Sequence, residues 1–159
     1  MADYKAPLRD MRFVLNEVFD APKLWQTMPA LAEVVDAETA EAILEEAGKI
    51  TANSIAPLNR SGDEEGCHFD DGVVVTPKGF KEAYAKYVEG GWPAMGGDPE
   101  FGGQGLPGSS SIAISEMTGT ANWSWSMYPG LSHGAVATIE EHGTDEQKNG
   151  YLPKLTSGE

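Results

Sequence analysis

Apolar residues recur at helical spacing from the first dozen residues of the chain onward. Between Leu8 and Phe19 they fall three and four positions apart, with charged or amide residues between them, which predicts an amphipathic helix. Pro22 and Pro29 interrupt the next stretch, where the apolar side chains indicate a short turn or helix: Leu24, Trp25, Met28 and Leu31.

The clearest helical pattern begins at Asp36 and runs to about Leu58. Asp36 is placed to cap this helix, while Glu38 and Glu41 lie near its positive end. The apolar stripe that follows is made of Ile43, Leu44, Ala47, Ile50 and Ile55. The polar stretch 59–66 is expected to be a loop.

The pattern changes between Cys67 and Thr76. Asp71-Gly72 followed by three valines predicts a small hairpin, because glycine accepts the positive φ that such turns require. Thr76-Pro77 then predicts a new helix with threonine as its cap. Its inner face carries Phe80, Tyr84, Tyr87 and Val88, and Gly90-Gly91 end it.

The last third of the chain opens with a loop, 92–108, that is rich in glycine and proline. Residues 109–111 can cap a helix carrying Ile112, Ile114 and Met117, and the low charge of ANWSWSMYPG predicts that this segment is buried. Pro129 is expected to open another helix through Ile139 that Gly143 closes. Thr144-x-x-Gln147 is a capping box for a last helix that ends before Pro153. The fold class predicted by these elements is all-α, a helical bundle with one minor β-hairpin.

Composition and charge narrow the classes of function. A net charge of −14 argues against nucleic acid and against an anionic membrane surface, since both partners require a basic footprint. No apolar run approaches the ~20 residues that span a bilayer. The single cysteine, Cys67, fits a reducing compartment. We therefore expect a cytoplasmic protein with neither a metal site nor a nucleic-acid or membrane partner.

For several candidate sites, the sequence favours a structural role over a catalytic or ligand-binding role. The loop MGGDPEFGGQGLP has no following lysine and no preceding strand, so a tight reversal is favoured over a phosphate cradle. The neighbours Ser132-His133 lack evidence of a third, orienting group. Glu116 lies on a largely apolar helix, which predicts a polar or charged partner, most simply in an ion pair.

The segment from Trp123 to Pro129 alternates large apolar side chains with serines. This composition is typical of a small-molecule pocket. It is equally typical of the core between two helices, and the residues alone favour the core.

Two separate stretches carry a resemblance to a known family. PEFGGQGLP, followed by a helix bearing Glu116, and then HGTDEQKNGYLPKLTSGE resemble the acyl-coenzyme A dehydrogenase superfamily. The opening YKAPLRDMRFVLNEVFD and the segment GCHFDDGVVVTPKGFKEAYAKYVEGGW look like a longer subgroup with an N-terminal extension, which includes 3-methylmercaptopropionyl-coenzyme A dehydrogenases. The resemblance covers the whole chain.

This resemblance implies a flavoenzyme that holds FAD and removes a proton and a hydride from Cα and Cβ of an acyl thioester. It implies residues 1–35 as an N-terminal extension helix and linker and residues 36–159 as the helical N-terminal domain. The flavin-binding β domain and the C-terminal bundle with the catalytic glutamate are expected outside this chain. The chain should then carry no catalytic, cofactor or metal ligand and be inactive alone.

The resemblance also assigns a substrate-binding role. Matching of Gly130-x-Ser132-x-Gly134 places four consecutive residues where family members line the acyl cavity: Trp125, Ser126, Met127 and Tyr128. The implied partners of the parent enzyme are an acyl-CoA substrate, an electron-transfer acceptor and further copies in a homo-oligomer. Two alternatives stay open: a self-standing helical protein-interaction module, and a small hydrolase built on Ser132-His133.

Overall fold

Helices make up nearly all the regular structure in the computed structural model, which describes residues 4–159. They are α1 (Leu8–Arg12), α2 (Ala21–Gln26), α3 (Ala37–Ile50), α4 (Leu58–Glu65), α5 (Phe80–Glu89), α6 (Gly108–Ala121), α7 (Trp123–His142) and α8 (Asp145–Ser157). Phe13–Val18 and Thr51–Ile55 prolong α1 and α3 as π-helical turns, and Trp92–Ala94 and Pro99–Phe101 are 3-10 turns. The strands β1 (His68–Asp70) and β2 (Val73–Val75) pair antiparallel. The predicted all-α bundle with one minor hairpin is confirmed.

The larger of two apolar clusters joins the N-terminal segment to α3 and α6. Met11, Trp25 and Val35 are buried in it together with residues of both longer helices. Its buried members are Met11, Ala21, Trp25, Val35, Ala40, Leu44, Ala47, Met95, Leu106, Ala113, Ile114 and Met117. The amphipathic pattern predicted from Leu8 onward therefore does pack on the bundle.

The second cluster surrounds the start of α7 and consists of Ile55, Phe80, Ala83, Tyr87 and Trp125. Asn122 fixes this helix start, because its side-chain oxygen accepts a hydrogen bond from the Trp125 amide and its side-chain nitrogen donates to the Ile55 carbonyl. This buried amide links the far end of α3 to α7.

Two predicted helix caps are confirmed. The Asp36 carboxylate accepts from the Thr39 amide, as expected for the start of α3. Thr144 and Gln147 form the reciprocal capping box of α8, in which each side chain accepts from the other residue's amide. Both signals are local, so the sequence contains all the groups they need.

Two predictions around α4 and α5 are wrong. The expected loop 59–66 is helical, with an Arg60–Glu64 ion pair at i,i+4 and Gly62 so close to Phe80 that a Cβ would lie 2.6 Å from its ring. Thr76-Pro77 does not start α5. That helix begins at Phe80 after Gly79, whose φ of 88° is open to glycine at little cost.

Two prolines expected at helix ends lie inside helices. Pro129 is within α7 and Pro153 within α8. Each lacks an amide proton and so leaves one helical hydrogen bond unmade, yet both helices, which begin at the Asn122 and Thr144 caps, continue through the proline.

Exposure also departs from expectation at two large side chains. Trp123 on α7 is 69% exposed, although its segment was predicted to be buried, and Ile112, one of the apolar residues that predicted α6, is 71% exposed. Further exposed apolar residues lie on the hairpin and along the N-terminal segment. No helix in the described range 4–159 is long and apolar enough to cross a membrane.

Candidate functional site

The four residues of the predicted acyl site are consecutive on α7 and therefore point in four directions. Successive residues of an α-helix are rotated by about 100°, so they cannot line one cavity together. Trp125 faces the core, Ser126 is half-buried at its flank, and Met127 and Tyr128 are exposed. Only part of the predicted set is open to a ligand.

Trp125 is the packing residue of the set. Its exposed fraction is 0%, its indole N–H donates to the Phe80 carbonyl over 3.3 Å, and its ring meets that of Tyr87 edge-on with centroids 5.4 Å apart. Every polar atom of the indole is satisfied by the bundle. In this structure Trp125 supports the site from beneath and does not line it.

Ser126 and Met127 follow on opposite flanks of the same turn. The Ser126 hydroxyl donates to the Trp123 carbonyl within the helix, at 2.8 Å, so it is already engaged. Met127 is 40% exposed and offers a flexible, polarizable thioether to solvent. Of these two residues, Met127 is the one that can contact a ligand.

Tyr128 borders a groove between α5 and α7. Its ring stands edge-on to Phe80, with centroids 6.1 Å apart, and its hydroxyl lies 3.9 Å from the Cys67 Sγ. Partial burial, followed by the hydrogen bond with Cys67, raises the pKa of Tyr128. The groove has a volume of about 320 Å³ and is lined by Thr76, Phe80, Lys81, Tyr84 and Tyr128.

Gly130 and Gly134, which served above only to align the predicted acyl site, continue the exposed face of α7 as a row of small residues. Gly130 and Gly134 are exposed, and a Cβ built on either would meet no atom within 4 Å. Met127 and Leu131, the latter 70% exposed, flank them. The spacing of these two glycines, four residues apart on one helix face, is visible in the sequence. It indicates a surface where a ligand can closely approach the backbone.

The glycine-rich loop uses its amides on itself. The amides of Gly102, Gly103 and Gly105 donate to the carbonyls of Pro99, Asp98 and Gly97 respectively. A Cβ on Gly103 would overlap the Gly97 carbonyl group. The predicted tight reversal is confirmed, and these amides are not free to cradle a phosphate.

The other candidate residues stay apart. Glu116 is exposed and forms no ion pair with any residue in the described part of the chain, so its expected partner is absent there. Ser132 and His133 are neighbours on α7, and no hydrogen bond from a described residue orients the His133 ring. The arrangement lacks the geometry of a hydrolytic triad.

Comparison with known proteins agrees with the helical architecture. The family model described as acyl-CoA dehydrogenase, N-terminal domain, matches residues 37–159. The 3-methylmercaptopropionyl-CoA dehydrogenase of Ruegeria pomeroyi is 36% identical over 155 residues, which are 98% of this chain and 26% of that protein. A butyryl-CoA dehydrogenase of Syntrophomonas wolfei is 31% identical over 160 residues, 99% of this chain and 26% of that protein.

One further relative matches a shorter part of the chain. The acyl-CoA dehydrogenase FadE26 of Mycobacterium tuberculosis is 33% identical over 81 residues, 50% of this chain and 20% of that protein. The chain thus spans about a quarter or less of the length of these relatives. On the family match over 37–159 and these identities, the chain belongs to the acyl-CoA dehydrogenase family through its N-terminal domain.

Proposed function

We propose that this chain is the helical N-terminal domain of an FAD-dependent acyl-CoA dehydrogenase, which introduces a trans Cα–Cβ double bond into an acyl-CoA thioester. The observation that carries the proposal is the family match over 37–159 together with 36% identity to the Ruegeria pomeroyi enzyme. The division into an extension, 1–35, and a domain, 36–159, belongs to the same proposal, as do an electron-transfer acceptor and a homo-oligomeric parent.

The described residues do not form a Rossmann-type dinucleotide site. Such a site requires free backbone amides at a strand-to-helix turn, whereas the amides of the glycine-rich loop donate to carbonyls of that same loop, and the strands of the hairpin are only three residues long. We therefore assign the flavin and the catalytic base to parts of the parent enzyme outside this chain.

What this chain supplies, in our proposal, is one wall of the acyl cavity. Gly130 and Gly134 form a shallow trough on α7 because neither has a side chain, and Met127 and Leu131 form its apolar sides. A slender methylene chain can lie against such a surface, and burying it stabilises the complex by about 0.8 kcal/mol per CH₂.

Tyr128 would close one side of this trough. Its ring is held upright by the edge contact with Phe80, and Phe80 is in turn held through its carbonyl by Trp125. In this arrangement Met127 and Tyr128 contact the acyl chain, Ser126 lies at the margin, and Trp125 positions the wall from the core.

The test uses the full-length enzyme and a series of straight-chain acyl-CoA substrates. Tyr128→Ala should widen the cavity and raise kcat/KM for long or bulky chains relative to short ones by roughly tenfold, since one methylene is worth about 1–3 kcal/mol of discrimination. Gly130→Leu should fill the trough and shift the preference toward short chains.

Tyr151→Ala is the matched control, because Tyr151 is also an exposed tyrosine (59%, against 41% for Tyr128) but lies on a different helix, α8. Its chain-length profile should equal that of the natural enzyme, and flavin content should be unchanged in all three variants. A profile that stays fixed in Tyr128→Ala and Gly130→Leu would remove this helix from the acyl cavity.

A further inference from the structure

A second apolar groove lies between the N-terminal extension and α6. It has a volume of about 330 Å³, and its rim includes Val14, Phe19 and Ile112, which are 42%, 66% and 71% exposed. Met11 and Ala113, both buried, form its floor. The remaining lining residues are Pro7, Asp10, Leu15, Ser109 and Glu116.

The two helices that form this groove run antiparallel. Leu8 packs beside Gly48, near the end of α3, whereas Arg12 pairs with Glu41 nearer its start, so α1 and α3 are antiparallel. Asn122 just beyond α6 contacts Ile55 just beyond α3, so α3 and α6 run in the same direction. The start of α1 therefore lies beside the end of α6.

Each wall of the groove carries one carboxylate. The Tyr4 hydroxyl donates to the Met117 carbonyl, which places the early residues of the chain next to the second half of α6. Asp10 lines the groove from the extension and Glu116 lines it from α6, so both walls combine apolar side chains with one negative charge.

The charges restrict what can cover this groove. Asp10 and Glu116 are the only charged residues in its lining, and neither forms an ion pair within residues 4–159. An anionic ligand such as an acyl-CoA would meet two carboxylates there. A second copy of this chain would bring a further net charge of −14. A cation on an apolar framework is the complement of this surface.

The lengths of the relatives indicate which part of the longer polypeptide supplies this cationic, apolar surface. The match to the Ruegeria pomeroyi enzyme includes almost all of this chain, extension included, and its coverage implies a protein of about 600 residues. The FadE26 match takes in only half of this chain, and its coverage implies about 400 residues. The extension is therefore matched in a relative that carries about 200 residues more.

From these observations we propose that the groove between the extension and α6 seats an amphipathic helix from the additional chain of the longer enzymes. Its apolar side chains pack on Val14, Phe19 and Ile112, and a lysine or arginine lies between Asp10 and Glu116. The groove between two helices suits a third helix that inserts every third or fourth side chain. This inference rests on the proposed function, because it requires the longer polypeptide.

The experiment is cysteine labelling of the full-length enzyme in a background without other reactive cysteines, including Cys67→Ser. Ile112→Cys probes the groove. Phe13→Cys is the matched control, since Phe13 is 59% exposed on the same extension but does not line the groove. The cysteine at position 112 should react with a maleimide at least tenfold more slowly than the one at position 13. That protection should be independent of protein concentration.

Charge reversal tests the cationic contact. Asp10→Lys with Glu116→Lys should raise the labelling rate at position 112 by about fivefold or more, on the scale of exposed ion pairs, while Glu82→Lys on α5 should leave it unchanged. A photo-crosslinking residue at position 112 should couple to a helical segment of the same polypeptide that contains lysine or arginine.

Equal labelling at positions 112 and 13 would overturn the proposal, as would protection that disappears on dilution or a crosslink to another protein. Flavin absorbance and dehydrogenase turnover are measured on the same samples. Their absence would contradict the proposed function, whereas an open groove in an active flavoenzyme would contradict only this inference.

Discussion

Truncation of Trp125 should destabilise the chain more than truncation of Tyr128, although both are large aromatic residues on the same turn of α7. Trp125 is fully enclosed (0% exposed) and Tyr128 is 41% exposed. Trp125→Ala removes a core indole, which costs about 3–5 kcal/mol in comparable cores. It also leaves the Phe80 carbonyl without its donor, which adds to the loss.

Tyr128→Ala removes a side chain that solvent already reaches and one edge contact with Phe80. Partial burial and one aromatic pair together amount to about 1–2 kcal/mol. For a domain of this size each kcal/mol lowers Tm by about 2–4 °C. We therefore expect a decrease in Tm of about 6–20 °C for Trp125→Ala and about 2–8 °C for Tyr128→Ala.

The assay is thermal and urea unfolding of this chain followed by far-ultraviolet circular dichroism. Trp123→Ala is the matched control, because Trp123 is 69% exposed on the same helix and its loss should change Tm least of the three. Tyr128→Phe isolates the contact with Cys67. If Trp125→Ala were no more destabilising than Tyr128→Ala, the assignment of Trp125 to packing would be wrong.

Five further outcomes are expected from the geometry of the described residues. Gly103→Ala should destabilise the chain by about 3 kcal/mol or more in urea, because its Cβ would overlap Gly97, whereas Gly130→Ala, in open space within a helix, should stabilise it by up to about 1 kcal/mol. Hydrogen bonds from Thr39 lower the pKa of Asp36, so its cap stabilises the fold above the unfolded-state pKa and is lost as pH falls through the lower folded-state pKa. The difference in Tm between the natural chain and Asp36→Ala should therefore shrink in acid. A difference that does not change with pH would contradict this cap. Burial raises the pKa of Tyr87 to about 12, so its contribution to stability is present below the ordinary tyrosine pKa and is lost as pH rises toward 12. Ultraviolet titration of tyrosinate should show one residue that ionises last, together with unfolding. The purified chain should be colourless, since its loop amides are already hydrogen-bonded, and a flavin absorption band in the preparation would refute this.

Local signals predicted much of this fold correctly. The caps at Asp36 and Thr144 and the turn at Asp71-Gly72 need only groups within three or four residues of each other, and each is observed. The predicted helix start at Pro129 and helix end before Pro153 were wrong. Both prolines are interior, because the helices begin upstream at the Asn122 and Thr144 caps and one lost hydrogen bond does not end them.

The candidate site was harder to predict because exposure depends on neighbours. The composition of 123–129 indicates a pocket or a core, and in the structure the same helix carries one buried tryptophan, Trp125, and one exposed tryptophan, Trp123. Which face of α7 is open follows from the packing of α5 and the turn Thr51–Ile55 on it. No periodic pattern within residues 123–129 indicates which face of α7 is exposed.

The glycine-rich crossover between α5 and α6 has a mechanical consequence. Its amides return to its own carbonyls at Gly97, Asp98 and Pro99, and a Cβ on Gly97 would lie 3.4 Å from both the Gly103 Cα and the Thr156 Cγ2 of α8. A segment held by these contacts is rigid and does not act as a hinge. Although it has the composition of a flexible linker, its amides should exchange with solvent as slowly as those of the helices it joins, and it should tolerate an inserted residue far less well than the hairpin turn at Asp71-Gly72.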